Sequence, residues 1–217
     1  MKNYQGYLFD LNGTMIDDMH YHVKAWHDIL NELGANISME QMKRECYGKN
    51  HELLERTFPG RFTYSEKDRM SLDKEKRYQE DFRPNLKLVD GLHDFLVNAH
   101  NSGKKTAIGS AAIMFNIDFV LDSLHIRKYI DVIVSADEVE KSKPDPETFL
   151  TCAKALSLLP ADCIVYEDSP KGVESAKLAG MDAIVITTMH QPDEFDNYEN
   201  VIGFISNFND PLLNKLL

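Results

Sequence analysis

Cysteine is scarce in this chain. Cys46, Cys152 and Cys163 make an odd count with no CxxC pair. That argues against a disulfide framework and leaves buried or idle thiols in a reducing cytoplasm. Basic residues are the minority, 24 Lys and Arg against 35 Asp and Glu, for a formal net charge of -11. A surface of that sign matches nucleic acid poorly, since phosphate backbones select Lys and Arg clusters, so no nucleic-acid partner is expected. A small phosphorylated metabolite stays compatible, because a bound cation and a few local lysines reverse the field. Long apolar runs are missing too. None approaches the ~20 residues of a membrane span, and no apolar signal-like run lies between Met1 and Asp10. A soluble cytoplasmic protein without a membrane partner is expected. Internal repeats and low-complexity segments are absent, and oligomeric state has no signature in this sequence.

What is present suits one well-buried core with a small appendage. The chain has 217 residues, 43% of them hydrophobic. Tyr4 to Phe9 reads as a buried strand running into Asp10, with a turn at Gly13-Thr14. From Met19 to Leu33, Val23, Trp26, Ile29, Leu30 and Leu33 recur at helical spacing, and Gly34 stops the helix. Ser38 with Gln41 resembles a capping box. Asn50 is read as the cap of a short helix ended by Pro59-Gly60. Ser65 is read as opening a charged helix that reaches Phe82. Residues 17–86 therefore read as an all-helical block.

After Pro84 the pattern changes to alternating helices and strands. Strands are read at Lys105–Ile108, Val132–Val134, Ile164–Tyr166 and Ala183–Ile186, with a further edge strand at Val201–Ile205. Such alternation means βαβ units and a parallel sheet. The fold class is thus α/β: a Rossmann-like parallel-sheet core from residues 1–16 and 87–217, with an inserted all-helical cap at 17–86.

Ligands of open parallel sheets bind at the carboxyl ends of the strands. Four strand ends here carry polar residues: Asp10-Leu11-Asn12-Gly13-Thr14, Gly109-Ser110, Lys143-Pro144 and Glu167-Asp168. Each alone is ordinary, because a strand-end Asp or Ser is commonly a helix cap and Lys143 resembles a loop lysine. In this order they fit one reaction. A carboxylate attacks phosphorus and holds a covalent intermediate. Mg²⁺ held by Asp10 and Asp168 suits the charge of phosphoryl transfer. Lys143 would neutralise the transferring oxygens, and Ser110 would donate a hydrogen bond to them. The neighbouring histidines His20, His22 and His27 lack metal-like partners and read as surface or hinge residues. Lys67 to Arg77 reads mostly as a solvated helix face.

These four motifs resemble those of the haloacid-dehalogenase-like superfamily over nearly the whole chain. The beta-phosphoglucomutase and phosphatase subgroup is the most similar, through Asp17, His22 and Trp26, through Lys143-Pro144-Asp145-Pro146, and through Glu167-Asp168-Ser169 with Gly172. The resemblance implies Asp10 as nucleophile and Mg²⁺ ligand. It implies the backbone carbonyl of Asn12 and the Asp168 carboxylate as further ligands, with Glu167 nearby. It implies substrate contacts from His22, from the turn Gly48-Lys49-Asn50-His51, from Lys74, and from Ala111 and Ala112 after Ser110. It also implies that the cap closes during turnover.

Two departures matter. The family's general acid and base is an aspartate at position 12, where this chain has Asn12, which exchanges no proton near neutral pH. Three readings stand open: an engineered change that traps a complex, a slow natural enzyme, or a phosphate-binding relic. The intact remainder of the site favours the first. The family's distal-phosphate grip also looks weaker, with His51 and Ala112-Ile113-Met114 in its place. That moves weight from a sugar phosphomutase to a phosphatase. Two other chemistries fit less well. Dehalogenases lack the acidic metal pair that Glu167-Asp168 supplies, and phosphonatases carry a small residue at position 12. A binding module without turnover is the non-enzymatic alternative.

Overall fold

A computed structural model describes residues 2–216. It divides the chain into two compact units. Residues up to Asp17 join those from Lys87 onward in one, and Asp18–Leu86 form the other.

The first unit is built on a parallel sheet. Among the described residues it has six strands: β1 (Gly6–Phe9), β2 (Lys105–Gly109), β3 (Val132–Val134), β4 (Cys163–Glu167), β5 (Asp182–Ile186) and β6 (Val201–Ile205). They lie in the order β3-β2-β1-β4-β5-β6. The parallel sheet expected from alternating strands and helices is present. The chain winds outward from β1 through β2 to β3, then returns to place β4 on the other side of β1. β1 and β4 therefore flank the switch point, in register from Gly6 with Cys163 to Phe9 with Tyr166. Ligands of open α/β sheets bind beyond the strand ends at such a point.

Every residue of β1 and β4 is buried, as required of parallel strands covered on both faces. Side-chain alternation sends Tyr7 and Phe9 to one face, into an aromatic cluster with Phe95, Tyr166 and Phe208. Phe9 and Tyr166 stack with centroids 4.8 Å apart. Leu8 and Val165 face the other way, packing with Phe149, Cys152 and Val173. These rings and branched chains remove apolar area from water at about 25 cal/mol per Å². They also fix the twist and spacing of the two strands whose ends carry Asp10 and Asp168.

The second unit is helical: α1 (Met19–Glu32), α2 (Met39–Glu45), α3 (Asn50–Thr57) and α4 (Tyr64–Phe82). The apolar stripe of α1 buries Val23, Trp26, Ile29 and Leu30, and the chain turns at Gly34, whose φ is 91°. Ser38 caps α2 by accepting the Gln41 N–H at 3.1 Å. Two helix starts differ from the sequence reading. α4 opens at Tyr64 with Thr63, not Ser65, as its cap: Thr63 accepts from Glu66 N–H, and the Glu66 carboxylate accepts from Thr63 N–H at 2.8 Å. Asn50 is the first residue of α3 rather than its cap, because its amide is drawn inward to Glu75 while Glu52 accepts the Lys49 N–H. Among the described residues, no helix is long and apolar enough to cross a membrane.

Candidate active site

The turn after β1 is shaped by backbone hydrogen bonds, by one threonine hydroxyl and by a glycine. Asp10 N–H donates to Tyr166 O at 2.9 Å, tying the end of β1 to β4. Gly13 N–H donates to Ile16 O at 2.8 Å, and Thr188 Oγ1 donates to Gly13 O at 2.6 Å. Gly13 has a φ of 81°, and a Cβ there would lie 2.2 Å from Asp168 Oδ2. Only glycine allows the loop to pass this close to the Asp168 carboxylate.

Asp10, Glu167 and Asp168 are all buried, and each offers a carboxylate oxygen within 4.8 Å of the others. Lys143 lies among them. Its Nζ donates to Asp10 Oδ1 at 2.6 Å and to Glu167 Oε1 at 2.8 Å. Glu167 Oε2 accepts from Ser169 N–H at 2.8 Å and from Ser169 Oγ at 3.0 Å. A Cβ at residue 172 would meet Glu167 Oε1 at 1.7 Å, so Gly172 at the start of helix Pro170–Leu178 makes room for that carboxylate. Ser110 is buried at the end of β2, beside β1, and its Oγ accepts from Ala112 N–H at 3.2 Å. Ala111 and Ala112 follow it half-buried.

The electrostatics are unbalanced. Burial works against the Lys143 ammonium, yet the Asp10 and Glu167 carboxylates outweigh it and hold its pKa above the ordinary lysine value. Burial, reinforced by the charges of Glu167 and Asp10, pushes Asp168 well above the usual carboxylate range. A buried set of oxygen donors with one ammonium among three carboxylates fits a hard divalent cation, which takes oxygen ligands and would remove the excess charge.

The remaining expected site residues belong to the helical unit, where a second buried polar cluster forms. Lys74 Nζ donates to His22 Nδ1 at 2.6 Å and to both Glu75 oxygens at 3.0 Å. That leaves His22 Nε2–H for Asp18 Oδ2 at 3.2 Å. Tyr78 donates its hydroxyl to Asp18 Oδ2, and Asn50 Nδ2 donates to Glu75 Oε1 at 2.6 Å. His22, Asn50 and Lys74 are thus brought together. Gly48, with a φ of 76°, and Lys49 form the turn just before α3. His51 goes elsewhere, its Nε2 2.9 Å from Asp68 Oδ1.

One sequence reading needs correction: His22 is buried rather than a surface histidine, whereas His20 is exposed. The stretch from Lys67 to Arg77 is mostly solvated, as read, with Ser71, Lys74 and Glu75 the buried exceptions. Sequence reasoning passed over Asp18, Glu75 and Thr188. Asp18 and Glu75 had a faint signal in their spacing to His22 and Tyr78, four residues and three. Thr188 had none, since its bond to Gly13 joins residues 175 positions apart.

The description "haloacid dehalogenase-like hydrolase" belongs to the family model that matches residues 7–186. A beta-phosphoglucomutase of Bacillus subtilis is 32% identical over 185 residues, 82% of this chain and 80% of that one. A fructose-1-phosphate phosphatase of Escherichia coli is 29% identical over 189 residues, 84% of this chain and 96% of that one. Among solved structures, beta-phosphoglucomutase from Clostridium difficile superposes with a TM-score of 0.82 at 25% identity, covering 95% of this chain and 92% of that one.

Proposed function

This chain belongs to the haloacid dehalogenase-like hydrolase family, and we propose that it moves the phosphoryl group of a small phosphorylated metabolite onto Asp10 and then to water. The observation that carries this reading is the buried cluster at the β1/β4 switch point, where Lys143 bridges Asp10 and Glu167 beside Asp168. The Lys143 ammonium, 2.6 Å from Asp10 Oδ1, supports the reading because it would hold the carboxylate for attack on phosphorus. Lys143 would meet the charge on the transferring oxygens, and the Ser110 hydroxyl would donate to one of them. Asp10, Asp168 and the backbone carbonyl of Asn12 would hold Mg²⁺, with Glu167 behind them. When bound, the ion supplies the positive charge that an anionic nucleophile needs to approach an anionic phosphate. Gly48 and Lys49 are the proposed substrate-contacting groups of the helical unit, where His22, Asn50 and Lys74 are held with Asp18 and Glu75 and His51 with Asp68; Ala111 and Ala112 are those of the sheet unit.

Sugar phosphates enter as candidates through the names of the phosphatase and mutase relatives. Hydrolysis is favoured over isomerisation by the side chains themselves. His51 is paired with Asp68, and residues 112–114 carry no cation to grip a second phosphate. The test is a panel of phosphoryl donors with Mg²⁺, read by phosphate release and by the mass of acid-quenched protein. Phosphate release with one phosphoryl group on Asp10, both lost in Asp10→Asn, is the expected result. Turnover that survives Asp10→Asn would sink the reading. Isomerisation of a sugar phosphate, primed by a bisphosphate, would move the assignment to a mutase.

A further inference from the structure

Asp168 leaves no room for a side chain at residue 13, and the glycine this selects is conformationally loose. Without a Cβ to restrict it, its backbone has to be held from outside. Hydrogen bonds on the two flanking peptides do so. Gly13 N–H donates to Ile16 O at 2.8 Å, which fixes the peptide before the Cα. That peptide is trans and planar, so the Asn12 carbonyl is turned away from Ile16 O. Gly13 O accepts from Thr188 Oγ1 at 2.6 Å, which fixes the peptide after it.

Thr188 is itself anchored. It lies two residues beyond β5, on a segment tied to β6 by Thr187, whose N–H and Oγ1 donate to Ile205 O at 2.9 Å and 3.3 Å. In the sheet, β4 lies between β1 and β5. The bond from Thr188 to Gly13 therefore joins the segments that follow the two neighbours of β4, and Glu167 and Asp168 sit at the β4 end between them. A neutral donor suits this place. A lysine or arginine would bring positive charge toward Asp168 and compete with a divalent cation, whereas a hydroxyl donates one bond and leaves the charge as it is. Branching at Cβ restricts χ1 and so steadies that hydroxyl.

We infer that Thr188 is a positioning residue of the phosphoryl-transfer site: it holds Gly13 so that the Asp168 carboxylate and the Asn12 carbonyl keep one arrangement for a divalent cation. The inference rests on the reading that Asp10, Asp168 and the Asn12 carbonyl hold Mg²⁺. Thr188 acts through Gly13 and is not a ligand. Its removal loosens the turn at the one residue that has no side chain to limit it. Gly13 then either crowds the Asp168 carboxylate, which it already approaches closely, or carries the Asn12 carbonyl out of place.

The experiment measures Mg²⁺ affinity by titration calorimetry, with Mg²⁺ alone as the probe, beside the melting temperature of each metal-free chain. Losing a group that orients a metal ligand weakens metal binding ~10–100-fold. Thr188→Val keeps the shape and removes the donor, and is expected to lose affinity by that factor. Thr188→Ser keeps the donor and is expected to bind Mg²⁺ nearly as the unaltered chain does. Unchanged affinity in Thr188→Val overturns the inference even if its melting temperature falls, since a merely structural threonine would move only the latter. A serine variant as weak as the valine one overturns it too. Should Thr188→Val fold poorly, Thr188→Ala, which is smaller and also lacks the donor, reads the same loss. An unaltered chain that binds no Mg²⁺ overturns the underlying reading and this inference together. One that binds it no more tightly than Thr188→Val does overturns this inference alone.

Discussion

The two units each bury a cluster of charged side chains, and the clusters are built to opposite ends. In the helical unit the carboxylates of Asp18 and Glu75 meet the Lys74 ammonium, the His22 imidazole, the Tyr78 hydroxyl and the Asn50 amide. Donors and acceptors match. Burial alone would raise the Glu75 pKa, but the Lys74 ammonium and the Asn50 amide outweigh it and hold it below the ordinary glutamate value. In the sheet unit the single ammonium of Lys143 faces Asp10 and Glu167, and Asp168 is left to burial and like charge. One cluster is complete as it stands. The other is short of positive charge, and that shortage is what a divalent cation and a phosphoryl transfer both require. Buried charge therefore serves specificity and structure in one place and ligand recruitment in the other.

The comparison is sharpest where a lysine is removed from each cluster. Lys74→Met strands buried carboxylates, and breaking such a pair costs about 3–5 kcal/mol. The melting temperature should drop, and Mg²⁺ should not restore it. Lys143→Met should also lower the melting temperature of the metal-free chain, but there Mg²⁺ should recover most of the loss. Calorimetric melts with and without Mg²⁺ check both variants. Recovery of Lys74→Met by Mg²⁺ would erase the distinction between the clusters.

A smaller effect is expected from Asp168→Asn, and its sign is unusual for a buried site. A carboxyl whose pKa is raised on folding binds its proton more tightly in the folded chain. Stability is full below the ordinary carboxylate pKa, is lost as pH rises from there through the raised folded value, and stays lost above it. A neutral amide avoids that penalty. The metal-free variant should melt a few degrees higher at neutral pH, since ~1 kcal/mol is about 2–4 °C in a chain of this size. Mg²⁺ should raise the melting temperature of the unaltered chain and leave the variant unmoved. A lower melting temperature for metal-free Asp168→Asn would show that the sheet-unit cluster is not short of charge.

The smallest effect concerns acid. Glu75 titrates below its ordinary value of 4.5, so its contribution is complete above that pH and is lost as pH falls through its lower folded value. Melting temperature followed from neutral pH down past 4.5 should fall more steeply for the unaltered chain than for Glu75→Gln. Parallel curves would mean that the helical cluster does not hold Glu75 ionised.

Much of the sheet-unit site was legible because strand-end chemistry is local. Buried strands announce themselves as short apolar runs, and the residue that follows each run lies at the carboxyl end whatever the strand order. Asp10, Ser110 and Glu167-Asp168 were found on that basis, and Lys143 through the order of the motifs. The helical cluster was harder to read. Lys74 and Glu75 sit in a stretch so charged that every face of α4 looks solvated, and only packing against α1 and α3 turns one face inward. Asn50 was mistaken for a cap because its amide suits that role equally well.

The sequence by itself determined the parallel α/β core, the helical insertion after β1, the order of the four motifs and the amide at position 12. Each is a property of a short segment, or of segments taken in order. The tertiary structure alone decided that β4 returns to lie beside β1, bringing Asp168 to Asp10, and that Lys143 reaches both Asp10 and Glu167. It decided too that Gly13 and Gly172 make way for two carboxylates, and that His22, Lys74 and Glu75 form one hydrogen-bonded group. These depend on contacts between residues far apart in the chain. Their energies come from burial and from Coulombic attraction at distances of a few ångströms, which residue order along the chain does not encode locally.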